Sequence, residues 1–149
     1  MIRGISFLIP NKYGSVLKLI FENVNVEAFT WYNIEGQDQV FSAHNAFVFG
    51  QNQYSGEQFK RMIEQDDYYT LSVKLQASPI NQFENINNYN DFLNGVTQIV
   101  LLICDGIYVE VYIKDRKIIN IIESNAQRYH FSDIEYITDE NDQRTVFNV

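Results

Sequence analysis

The feature that most constrains this chain lies in its second half. Ile99-Val100-Leu101-Leu102-Ile103-Cys104 is continuously apolar, and Asp105-Gly106 follows it directly. Beyond that pair, Ile107, Val109, Val111 and Ile113 alternate with Tyr108, Glu110, Tyr112 and Lys114. Asp-Gly favours a two-residue hairpin, because both positions tolerate positive φ. An unbroken apolar strand is stable only where both of its faces are covered. The sequence therefore predicts a hairpin, Gln98–Cys104 with Ile107–Ile113, set in the middle of a sheet.

The rest of the chain must cover that sheet. Ile5, Phe7 and Ile9 alternate with Gly4, Ser6 and Leu8, which reads as a strand stopped by Pro10-Asn11. Val16, Leu17, Ile20 and Phe21 have helical spacing and predict a short helix from Tyr13 to about Glu22. Val26–Ile34 is β-rich, with aromatic residues on both faces, and Gln39–Phe49 is a weaker strand broken at His44-Asn45. Ser55 and Gln58 have the spacing of a capping box, ahead of a helix over 56–66. Tyr69, Leu71, Val73 and Leu75 alternate with Thr70, Ser72 and Lys74, a half-buried strand with polar side chains on an open face. Residues 77–88 read as an Asn-rich loop, and Tyr89–Asn94 as a short helix stopped by Gly95. Asp115 can cap a helix carrying Ile118, Ile119, Ile122 and Ala126 on one face. Asp133–Thr138 alternates as a strand, and Arg144–Asn148 reads as a last short one. This pattern predicts an α+β fold: a single domain over 1–149, with a largely antiparallel sheet and about three helices packed mostly on one face.

With 149 residues and 46% hydrophobic content, the chain can bury a core without a covalent staple. Eleven basic residues stand against 19 acidic ones, a net charge of −8. Nucleic-acid binding through clustered Lys and Arg is not expected from that balance. The single cysteine, Cys104, excludes an internal disulfide and a Cys-based zinc site. The opening Met1–Pro10 has no secretory core, and the longest apolar run of the second half falls far short of the roughly 20 residues that cross a bilayer. The expected setting is the cytoplasm, with no membrane association.

The sequence carries no motif of a known chemistry. Neither a phosphate loop nor a dinucleotide fingerprint occurs, and the two histidines, His44 and His130, form no metal-binding pair by spacing. No cofactor is expected. Cys104 ends an apolar strand, which disfavours a thiolate and predicts a structural thiol. The aromatic content is 15%, and most of these rings are expected in the core. Trp31 and Tyr32 are the candidates for an aromatic pocket. Asp133, Glu135, Asp139, Glu140 and Asp142 crowd the end of the chain with no Lys or Arg from Tyr129 through Gln143. Asp139-Glu140-Asn141-Asp142 starts like a calcium loop, but Arg144 stands where that loop needs glycine. The segment predicts a turn whose carboxylates face solvent, with Arg144 close enough to pair with one of them. Asp139, Glu140, Asp142 and Arg144 are accordingly the candidate contacts for a basic protein partner. No Lys or Arg occurs between Lys74 and Lys114, which leaves the middle of the chain acidic and apolar.

Arg3-Gly4-Ile5-Ser6-Phe7 with Ile9-Pro10-Asn11, then Trp31, Tyr68-Tyr69, Asp91-Phe92-Leu93 and Leu101-Leu102, occur in a recognisable order. The closing Glu135-Tyr136-Ile137-Thr138-Asp139-Glu140-Asn141-Asp142, with Arg144-Thr145, is the most specific piece. Together they resemble an uncharacterised family of small proteins from Bacillus-type bacteria, a domain of unknown function. The resemblance implies a stand-alone cytosolic bacterial protein and transfers no catalytic residue. Two functional readings compete. One is a non-enzymatic protein-interaction domain, immunity-like or regulatory. The alternative is a small-molecule-binding protein or enzyme with an aromatic pocket and carboxylates; a pocket with convergent polar groups would favour it.

Overall fold

The hairpin forms as expected and organises the rest. A computed structural model describes residues 1–33, 39–42, 50–79 and 81–149. The strands are β1 (Ile2–Leu8), β2 (Thr30–Asn33), β3 (Gln39–Ser42), β4 (Gln53–Tyr54), β5 (Tyr68–Ser78), β6 (Ile99–Cys104), β7 (Tyr108–Ile113) and β8 (Ser132–Thr138). The α-helices are α1 (Val16–Ile20), α2 (Gly56–Ile63), α3 (Tyr89–Asn94) and α4 (Arg116–Arg128), with a 3-10 turn at Val26–Ala28. Asp105 and Gly106 have φ of 56° and 70°, and β6 pairs with β7 from Ile99↔Ile113 to Cys104↔Tyr108. All pairings of the eight-stranded sheet are antiparallel, in the order β4-β2-β5-β6-β7-β1-β8, with β3 also on β5.

The continuous apolar run of β6 serves two cores. Ile99, Leu101 and Ile103 join Ile5, Phe7, Val73, Leu75, Val109 and Val111 on one face. That face packs on Leu17 and Ile20 of α1, Phe59 and Ile63 of α2, and Ile119, Ile122 and Ala126 of α4. Val100 and Leu102 point the other way, joining Tyr112 and Ile137 under Ile86, Phe92 and Phe147. Gly4 is the close-packed point between β1 and β7: a Cβ there would overlap the Val111 carbonyl.

The α+β class and the antiparallel sheet hold, with four α-helices rather than about three among the described residues. The first helix is shorter than its periodicity suggested, and Val26–Ala28 is a 3-10 turn ahead of β2 rather than strand. Ser55 and Gln58 form both hydrogen bonds of the capping box, and α2 runs only to Ile63. Of the weaker strand, Gln39–Ser42 forms, and its remainder, with His44, lies outside the described residues. The polar face of β5 is not open. Lys74 is 2% exposed, its Nζ donating to the Ile86 carbonyl at 2.8 Å, and Gln76 Nε2 donates to the Glu84 carbonyl at 3.0 Å. Carbonyls of the loop after β5 satisfy these groups, so the loop can cover them. The expected strand at Arg144–Asn148 is an extended segment with no ladder; Phe147 N donates to the Asn87 carbonyl at 2.7 Å.

Candidate functional site

The second sheet face is covered at one end and open at the other. Its open end bears Ser6, Leu8, Tyr108, Glu110 and Glu135, walled by Asn141–Val146, and forms a groove of about 760 Å³. Strand alternation aims these side chains outward: Ser6 and Glu110 face one another across β1 and β7, and Ser6 faces Glu135 across β1 and β8.

Behind the groove runs a chain of paired charges. Arg3 Nε donates to Asp139 Oδ1 at 2.9 Å, and Arg3 Nη1 to Asp142 Oδ2 at 3.1 Å. The Tyr112 hydroxyl lies 3.1 Å from both oxygens of Asp142, and Arg144 N donates to Asp142 Oδ1 at 3.1 Å. The Arg144 guanidinium turns to Glu110, with Nη2 at 2.7 Å from Oε1, and also donates to the Asn148 carbonyl at 2.8 Å. Burial alone would lower the pKa of Arg3, but its hydrogen bonds to Asp139 and Asp142 outweigh that and hold it raised. The same balance raises Arg144, with Glu110 as the opposing partner. Asp139 is lowered, chiefly by its hydrogen bond from Arg3. Burial pushes the Tyr112 hydroxyl far up, helped by the charges of Glu110 and Asp142, so it remains protonated and can only donate one proton into this network.

This geometry revises the expected acidic turn. Asp139 and Glu140 are exposed, but the Asp142 side chain is only 2% exposed and fully engaged. Arg144 pairs by its side chain with Glu110 and reaches Asp142 only through its backbone. Arg3, not Arg144, neutralises the turn, across 136 and 139 residues of sequence. Sequence reading missed Arg3, Glu110 and Tyr112. No local signal marks them, because their partners are brought together by β1 inserting between β7 and β8.

Trp31 and Tyr32 do not meet. Trp31 is fully buried, stacked on Phe59 at 4.0 Å, with Nε1 donating to the Val26 carbonyl at 2.9 Å. Tyr32 lies on the opposite face of β2, edge-on to Phe83 at 5.4 Å. Cys104 is half-buried rather than enclosed, with Arg144 Nη2 at 3.8 Å from its Sγ. His130 follows α4 with a φ of 59°, closing the helix end. Among the described residues, no group of three or more His, Cys, Asp or Glu converges as metal ligands would, and no helix is long and apolar enough to cross a membrane.

A family model described as a protein of unknown function (DUF2691) matches residues 2–148. The chain is 35% identical over 158 aligned positions to the uncharacterized protein YncE of Bacillus subtilis strain 168, covering 100% of both chains. No solved structure matches it.

Proposed function

The chain belongs to the DUF2691 family of unknown function, and we propose that it is a non-enzymatic interaction domain whose groove receives a basic segment of a protein partner. The observation that carries this reading is the charge left over in the groove. Glu110 and Asp142 are paired with arginines, whereas Asp133 and Glu135 have no ion pair among the described residues. Beside them Tyr108 is 54% exposed, and its ring can meet a cation as well as apolar surface. Charge complementarity of this kind steers encounter and selects the partner. The burial of Trp31 and its separation from Tyr32 weigh against an aromatic small-molecule pocket built on these two rings.

The test is an amide chemical-shift titration with an amidated octalysine peptide at low salt. Shifts are expected at Ser6, Leu8, Tyr108 and Glu135. The double change Asp133→Asn, Glu135→Gln should leave the fold intact and weaken binding by roughly fivefold, less so at high salt. Shifts scattered over distant acids such as Glu22, Glu57 and Glu64, with no effect of the double change, would remove the groove from the contact surface.

A further inference from the structure

Among the described residues, β8 is the outer strand of the sheet beyond β1, and nothing pairs along its far side. Odd-numbered residues of β8 face β1: Asp139 N donates to the Met1 carbonyl, and the Glu135 carbonyl accepts from Ser6 Oγ. The backbone groups of Tyr136 and Thr138 therefore point outward. The Thr138 carbonyl accepts from Asp142 N at 3.1 Å, while the Thr138 N–H and the Tyr136 carbonyl meet a single side chain. Asn141 Oδ1 accepts from Thr138 N at 2.8 Å, and Asn141 Nδ2 donates to the Tyr136 carbonyl at 2.8 Å. A residue on an added parallel strand makes the same two bonds, its N–H to one carbonyl and its C=O to the N–H two residues on. The Asn141 amide thus occupies one strand position and ends the ladder at that point. Exposed edges are otherwise ready templates for another chain.

We propose that the outer edge of β8 is a strand-docking edge held shut by Asn141, and that its occupant is an extended partner segment with basic side chains at alternate positions. The proposal rests on the basic-partner reading above and adds where and how that partner binds. A strand added beside β8 points alternate side chains to the two sheet faces. On the groove face they lie beside Glu135, which is held only by Asn141 Nδ2 at 3.1 Å and has no basic neighbour in an ion pair among the described residues. On the other face Arg116 covers the Tyr136 ring at 5.0 Å and Glu123 Oε1 accepts from the Tyr136 hydroxyl at 2.9 Å, so both charges are already present there and an apolar side chain suits that side. Alternating basic and apolar residues satisfy both faces. A second copy does not: it would set Asp133, Glu135 and Glu140 against their own like in a molecule of net charge −8.

The experiment compares the parent protein with Asn141→Ala, using an amidated octapeptide of alternating Lys and Val as probe. Without peptide, the Thr138 amide of the variant should exchange about tenfold faster, with Ile137 and Asp139 unchanged. The peptide should bind the variant about tenfold more tightly than the parent, and the Tyr136 and Thr138 amides should become protected on binding. Asn141→Asp keeps the acceptor for Thr138 N but puts a carboxylate oxygen against the Tyr136 carbonyl; it opens the same edge should the alanine variant fail to fold. Equal binding to both proteins with no protection at Tyr136 or Thr138 overturns edge docking and leaves the groove reading standing. No binding to either overturns both. Dimerisation of Asn141→Ala without peptide assigns the edge to a second copy and overturns the basic partner.

Discussion

Asp142 and Glu140 stand two positions apart and have opposite fates. Glu140 is exposed, while Asp142 is sealed between Arg3, Tyr112 and the Arg144 backbone. Asp142→Asn should lower stability in urea by about 1.5–3 kcal/mol, because it removes the charge that two donors and a buried phenol are arranged around. Glu140→Gln should change it by less than about 0.5 kcal/mol. Glu84 has a similar hidden role. Its carboxylate accepts from Val96 N at 2.9 Å, from Thr97 N at 2.8 Å and from the Thr97 hydroxyl. Burial pushes its pKa up, but these donors and the Lys114 charge outweigh it, and the net shift is down from 4.5. A carboxylate lowered in the folded state contributes stability that is present above 4.5 and is lost as pH falls through the depressed value. Stability measured against pH should therefore fall below that point in the parent, and Glu84→Gln should flatten that limb. An equally steep limb in the variant would remove Glu84 as its source. The sequence reads Asp142 as a solvent-facing turn acid and candidate contact, and marks no structural role for Glu84.

At the scale of elements, legibility followed local chemistry. The hairpin turn, the Ser55 cap and the helix after Asp115 depend on neighbours in sequence, and all three form. Ser55 Oγ accepts from Gln58 N at 3.2 Å, and Gln58 Oε1 accepts from Ser55 N at 2.9 Å. Ser55→Ala breaks the first of these, and it should destabilise the protein by about 1 kcal/mol in thermal or urea unfolding. A neutral result would mean that tertiary contacts, such as Phe59 on Trp31, hold α2 without its cap. Arg144–Asn148 makes no ladder despite its β-like composition, because Arg144 is held by Glu110 and the Phe147 N–H by the Asn87 carbonyl. Phe147 is pulled instead onto Tyr112, at 4.5 Å between rings.

For the whole molecule, the decisive event is the insertion of β1. It bonds to β7 through Gly4↔Tyr112 and to β8 through Gly4↔Ile137, so residues at opposite ends of the chain must meet before the sheet closes. Non-local antiparallel pairing of this kind folds slowly, in about milliseconds to seconds for a small domain. Trp31 is the chain's one tryptophan and is fully buried, so its fluorescence reports the transition directly. Stopped-flow refolding followed at Trp31 should fall in that range, and a Gly4→Ala change should speed unfolding by crowding the Val111 carbonyl. Refolding complete within microseconds would contradict the need for this long-range closure.

The sequence by itself determined the α+β class, the β6–β7 hairpin and the capped helices, because periodicity and turn chemistry act over a few residues. It also carried the family resemblance, through motifs spread along the whole chain. Only the tertiary structure decided which polar groups were solvated. Lys74 read as part of an open polar face until a loop supplied its acceptor. Arg3 found Asp139 and Asp142 from the far end of the chain, and Arg144 was drawn to Glu110. The physical reason is that a polar side chain is buried only if a partner arrives, and that partner's place in sequence is set by strand order, which no local pattern encodes.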